Sequence, residues 1–231
     1  MNELIDYRNF ELWKILSSNY DIKIENSTNN EYSCFTKNSN AIIYIVPDNI
    51  SADSFTHELL HVYLKYKEFY LGSSIKNFVK HDTVLSILLS DALLEHIGNC
   101  LDHLKMFKIY SDLGFDKKEF LLDFEIHKCT KTELNSLQNN FRYFGKINPN
   151  AVDFYIGKLI AMLCDPNTEN NYIKELIEFK NLDIELYEIV HKLVSDTKNF
   201  DIEKNDLLNS YRDISSDFYE ELNNWTTNKL N

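Results

Sequence analysis

The chain has 231 residues, 44% of them hydrophobic and 13% aromatic, and its 36 Asp and Glu against 24 Lys and Arg give a formal net charge of −12. That acidity argues against a large basic face for nucleic acid, and 5 Gly and 3 Pro are too few for a β-sandwich or a linker-rich architecture, which favours a mostly helical protein. No uninterrupted run of 18 apolar residues offers a membrane span, and Met1–Tyr7 carries acids where a signal peptide would be apolar, so a cytoplasmic protein is expected.

Leu4, Tyr7, Leu12, Ile15 and Leu16 recur at near-helical spacing and predict an amphipathic helix over 3–17. Three short extended segments follow: 22–24, 32–36 and the β-branched run 41–46. They are separated by the Asn- and Ser-rich turns 26–30 and 38–40. Together they predict a small three-stranded sheet packed beside helices. Pro47-Asp48-Asn49 closes the last strand. Ser51 is then placed to cap a helix and Asp53 to favour its first turn, and this helix runs to about 71. It carries His57-Glu58-Leu59-Leu60-His61. Positions i and i+4 stand one above the other on a helix face, so two imidazoles at 57 and 61 can close on one metal ion, with the carboxylate of Glu58 near a bound water. Phe55, Leu59, Leu60, Val62 and Tyr63 are uncharged, as a helix buried beside a site requires.

Gly72-Ser73-Ser74 reads as a break. A second long helix is predicted from Asp82, a good N-cap, to about Ser111, with Leu85, Leu88, Leu89, Ala92, Leu93, Ile97, Leu101 and Leu104 in a broad internal stripe. Leu113-Gly114-Phe115 stops it, and Asp116-Lys117-Lys118-Glu119 resembles a capping-box restart. Helices are then predicted at 116–126, 131–142, 149–164, 170–179, 183–198 and 202–228, with breaks near Pro149 and Pro166. The pattern divides the chain into a core, 1–112, and an all-helical extension, 113–231. Cys34, Cys100, Cys129 and Cys164 are scattered without a CxxC pair and read as buried thiols of a reducing compartment. His81 reads as a helix-start residue, and His127 and His191 as surface groups.

Two histidines need at least one more protein ligand. Leu64 and Lys67 stand where an HExxHxxGxxH arrangement needs Gly and His, so the ligand must come from another element. The stretch Asp91–His103 of the second helix has two polar rows, Asp91-Glu95-Asn99-Asp102 and His96-Cys100-His103, and polar groups so dense on a leucine-rich helix need partners. Glu95, 34 residues after His61, is the first choice. Asp91, one turn away, would orient a ligand histidine. His96 competes, either as the ligand or as an imidazole stabilising an oxyanion at the mouth of the site. Asp91, Asp102 and His103 remain as further candidates, the last two better explained as a solvated helix face. Gly98 costs about 1 kcal/mol within a helix and is expected to let the HExxH helix approach closely.

His57-Glu58-Leu59-Leu60-His61 with the downstream helical Glu95 resembles the gluzincin class of zincin metallopeptidases. The strand-rich start and the strand leading into the active helix look most like the ImmA/IrrE-type metallopeptidases, over residues 1–112. The fold this resemblance implies is α+β, mainly α: a zincin-like core with a small three-stranded sheet and an HExxH helix, followed by a helical extension. The implied activity is that of a zinc metallopeptidase. His57, His61 and Glu95 hold Zn²⁺, and Glu58 takes a proton from a zinc-activated water as it attacks a peptide carbonyl. His96 is the second catalytic candidate. The expected substrate is a peptide or protein, cut at a limited number of sites in a cytoplasmic partner. Helices 113–231 offer a surface for a regulatory protein partner, and neither membrane nor nucleic acid is expected. The competing expectation is a non-enzymatic zincin-like interaction or regulatory protein with a structural or absent metal. Glu58 favours the enzyme, because a structural zinc site has no use for a carboxylate between its histidines. Hydrolysis of a small non-peptide amide is a third reading.

Overall fold

The computed structural model describes residues 3–204 and 210–230. With 61% helix and 9% strand, the protein is α+β and mainly α, as the sequence predicts. Its residues group into two units, Met1–Phe69 with Lys105–Phe124, and Tyr70–Leu104 with Glu125–Asn231. The linear division at 112/113 does not follow this grouping, because one continuous helix, α5 (Asp91–Asp112), gives its first part to one unit and its end to the other.

In the first unit, α1 (Phe10–Asn19) starts later than its apolar spacing predicts. Residues 4–9 are tied down by side chains instead: Asn9 accepts from the Asp6 N–H and donates to the Leu4 carbonyl, and Asp6 takes the Arg8 guanidinium. Such local side-chain bonds compete with the helical ladder. The three predicted strands are present as β1 (Asp21–Asn26), β2 (Ser33–Lys37) and β3 (Asn40–Ile45). β3 is central, parallel to β1 and antiparallel to β2. Its alternate residues Ala41, Ile43 and Ile45 are buried, the period-two pattern of a strand with one covered face. The β2–β3 turn places Asn38 at φ 55°, a left-handed conformation that asparagine tolerates. The sheet feeds directly into α2 (Ala52–Tyr66), which carries the HExxH motif.

In the second unit the Gly72-Ser73-Ser74 stretch does not break a helix; it opens α3 (Leu71–His81). The helix expected from Asp82 is interrupted after α4 (Leu85–Leu88). Asp153 accepts from the Ser90 backbone N–H and hydroxyl, both at 2.8 Å, while Ser90 Oγ caps the Leu93 N–H. A long-range carboxylate thus resets the N-terminus of α5, which no local pattern records. Then come α6 (Lys131–Asn140), a short hairpin β4 (Arg142–Tyr143) and β5 (Lys146–Ile147), α7 (Pro149–Leu163), α8 (Ile173–Leu182), α9 (Ile184–Asn199) and α10 (Tyr211–Lys229). The hairpin replaces the end of the helix expected over 131–142, turning on Phe144 and Gly145 at φ 50° and 81°, a two-residue turn with both centres left-handed. Of the helix expected at 202–228, residues 205–209 lie outside the described residues. The core of this unit is built on α7, whose Tyr155, Ile156, Leu159 and Ile160 are fully buried. Two buried polar groups around it are paired: Tyr155 donates to the Phe179 carbonyl and Trp225 Nε1 to Asp183. Cys129 and Cys164 are buried thiols, whereas Cys34 and Cys100, expected to be buried as well, are half-buried. No helix among the described residues is long and apolar enough to cross a membrane.

α3 and α5 meet in antiparallel register at two glycines. Lys76 pairs with Glu95 at 3.2 Å, Lys80 with Asp91 at 2.9 Å, and a Cβ on Gly72 would lie 2.6 Å from the Gly98 Cα. The close approach that Gly98 permits is therefore to α3, not to the HExxH helix. Gly72→Ala is expected to lower stability by about 1–3 kcal/mol through overpacking. Gly98→Ala, whose Cβ would sit at 3.4 Å, is expected to be near neutral, since the helix propensity of alanine offsets the contact. Urea denaturation of the two variants checks the contrast.

Candidate metal centre

The local sequence of α2 explains its position and its burial. Ser51 is extended and its Oγ accepts from the Ser54 N–H at 3.1 Å, with Asp53 in the first turn, as an N-cap predicts. Thr56 is fully buried, returns its hydroxyl to the Ala52 carbonyl and accepts from Asn9 Nδ2 at 2.8 Å. Phe55, Leu59, Leu60, Val62 and Leu64 are completely buried. Their removal from water fixes the rotation of the helix at about 1.5–3 kcal/mol for each large side chain. The polar residues of the motif then have one orientation available.

His57 and His61 lie one turn apart with ring centroids at 5.1 Å and planes at 64°. A third imidazole joins them: His57, His61 and His103 each offer a ring nitrogen, and these three atoms all lie within 4.8 Å of one another. His103 is carried by α5, two residues before the Lys105–Asp112 part of that unbroken helix that belongs to the same unit as α2. That part is anchored by aromatic contacts, Tyr110 to Phe115 at 5.1 Å and Phe107 to Phe120 at 5.2 Å, and by the Tyr110 hydroxyl donating to Asp53 of α2 at 3.4 Å.

Electrostatics suit cation binding. Burial, then the neighbouring His61, push the His57 pKa down to about 3, so the ring is neutral at physiological pH and keeps a lone pair for a ligand. Glu58 is 8% exposed. Burial raises its pKa above the ordinary carboxylate range, while His61 and a hydrogen bond from Cys34 on β2 pull the other way. A carboxylate with a raised proton affinity therefore stands next to the imidazoles, on the same helix. Three imidazole nitrogens suit zinc and other first-row divalent ions rather than magnesium or calcium, which prefer oxygen.

The structure brings together His57, Glu58 and His61 as expected and corrects the rest. Glu95 is not in the histidine group: its side chain is 71% exposed and bonded to Lys76. Asp91 is likewise exposed and paired with Lys80. His96 is exposed, with Nε2 3.3 Å from the Gly157 carbonyl and 3.6 Å from Cys100 Sγ. The reason is helix geometry. Glu95 and His96 stand two turns before His103, about 10–12 Å along the axis, too far for either to share an ion with it. Asp102 and His103, expected on a solvated face, are buried and half-buried. Sequence reasoning also passed over Cys34 and Phe120. The first sits on a strand remote from the motif in sequence, and the second meets His57 partly through a backbone hydrogen bond, which residue type does not reveal. No protein-family model matches the chain, and no curated protein or solved structure matches it either.

Proposed function

We propose that the protein is a metal-dependent hydrolase, with zinc as its ion and a peptide bond as its substrate. The observation that carries this reading is the convergence of His57, His61 and His103 within 4.8 Å, with buried Glu58 on the turn between two of them. The three histidines would hold the ion through neutral ring nitrogens. Zinc bound by the three would supply a water of lowered pKa and would polarise a carbonyl. Glu58 would accept the proton of that water as it adds to the scissile carbonyl and would return it to the leaving amine. Its burial supports this role, because a base with a pKa nearer the working pH both takes and gives a proton readily. A histidine in the third position departs from the glutamate on which the gluzincin resemblance rests. The proposal therefore stands on the chemistry of these four side chains.

Metal analysis of the purified protein tests it first. About one zinc per chain is expected, removable by chelator. Comparison of protein fragments from cells expressing wild type and Glu58→Gln then tests the reaction and its substrate class, since the expected cleavages require Glu58. A wild-type protein that retains no divalent ion would overturn the proposal.

A further inference from the structure

We propose that residues 113–124 form a positioning strap, in which Phe120 fixes the orientation of the His57 ring and thereby sets the affinity of the three-histidine group for its ion. The inference rests on the reading of that group as a metal centre, and deepens it.

The strap leaves α5 by a turn at Gly114, φ 90°. Phe115 then lies under the Arg8 guanidinium at 3.9 Å and against Tyr110 at 5.1 Å. A 3-10 turn, Lys117–Glu119, is capped by Asp116, and beyond it Phe120 is 2% exposed among three rings. Their centroids stand at 4.9 Å for His57, 5.2 Å for Phe107 and 5.1 Å for Tyr110. The Phe120 backbone also makes a hydrogen bond with His57. The helix expected over 116–126 does not form, because Phe115 and Phe120 are both drawn to Tyr110, and this packing decides the path over local periodicity. Leu122, on the outer side of the strap, is fully exposed.

A ligand imidazole must hold one nitrogen toward the ion, and its two side-chain torsions leave that direction open unless neighbours close it. A backbone acceptor on the ring and a packed face are the usual means, and such partners are worth about 10–100-fold in metal affinity. Phe120 supplies both to His57. The strap holds only one turn of 3-10 helix, so its path depends on these aromatic anchors rather than on a hydrogen-bonded ladder. Truncating Phe120 therefore frees the ring face and displaces the carbonyl together.

The test is the Zn²⁺ affinity of the full chain, measured by competition with a chromophoric chelator, alongside the visible d–d absorption of the Co²⁺-loaded protein. Phe120→Ala is expected to lower Zn²⁺ affinity about 10–100-fold and to alter the Co²⁺ bands, and Phe120→Leu to restore most of both. Phe115→Ala removes the other anchor without touching the face of His57, and is expected to lose stability while keeping wild-type affinity. Should Phe120→Ala fail to fold by circular dichroism, Phe120→Val carries the same comparison. Wild-type affinity and spectrum in the folded Phe120 variant would overturn the proposal, as would an equal loss of affinity in Phe115→Ala. A wild type that binds no Zn²⁺ shows its failure without any substitution, and brings down the metal reading and this inference together.

Discussion

His103→Ala is expected to strip the protein of retained zinc, while Glu95→Ala leaves its metal content and affinity unchanged. The contrast follows from where each side chain lies. His103 contributes one of three ring nitrogens gathered within 4.8 Å. Its removal leaves two protein ligands on α2, fewer than any zinc site of the catalytic kind uses. The affinity loss should exceed the 10–100-fold that loss of an outer partner typically costs, enough to leave the variant metal-free after dialysis against a weak chelator. Glu95 is an exposed carboxylate paired with Lys76, and such pairs contribute about 0–1 kcal/mol to stability. Elemental analysis of the two variants beside His61→Ala separates the assignments, since His61→Ala and His103→Ala should behave alike. Zinc that survives the loss of His103 and departs with Glu95 would reverse the ligand choice.

The two carboxylates on the first turns of α5 show why the sequence points to Glu95 rather than to His103. Asp91 and Glu95 are dense polar residues on a leucine-rich helix, and the inference that they need partners is sound. The partners are Lys80 and Lys76 of α3. Stepping four residues back on α5 while α3 steps four forward is the mark of antiparallel helices, and Gly72 opposite Gly98 is its third rung. That pairing was legible in principle. It was hidden because the Gly72-Ser73-Ser74 stretch reads as a breaker, which removed α3 and left the acids without a visible counterpart. The row His96-Cys100-His103 is visible in the sequence, but only three-dimensional packing decides which of its members joins His57 and His61.

What was legible rests on short-range physics. The β-branched run ending at Val46, the Pro47 stop and the Ser51 cap place sheet, loop and HExxH helix correctly, because each is decided within a few residues. Elements decided at long range were not legible. Asp153 capping at Ser90 splits one expected helix into α4 and α5. Tyr110 holds Phe115 and Phe120 away from another. The same division holds at the site: His57, Glu58 and His61 are a local pattern, whereas His103, Cys34 and Phe120 arrive from three separate elements.

Glu58→Gln is expected to abolish hydrolysis while leaving zinc in place. Glutamine has the size and hydrogen-bonding reach of glutamate but cannot take up a proton, so the change removes general-base function and little else. Loss of a positioned base costs about 10²–10⁴-fold in rate, measurable as turnover of a quenched-fluorescent peptide library at fixed zinc occupancy. Stability supplies an independent sign. Burial is the largest influence on the Glu58 carboxylate and raises its pKa, so at neutral pH the folded state bears the cost of desolvating a charge that the unfolded chain leaves in water. A neutral amide removes that cost, and the metal-free variant should be at least as stable as wild type near pH 7. A residue retained for packing would give the opposite result, a less stable Glu58→Gln with unchanged turnover, and that pair of outcomes would remove Glu58 from the role of general base. In the wild type the same burial should move the acid limb of the rate profile to a higher pH than an exposed glutamate would give. The activity would then fall on acidification as Glu58 becomes protonated.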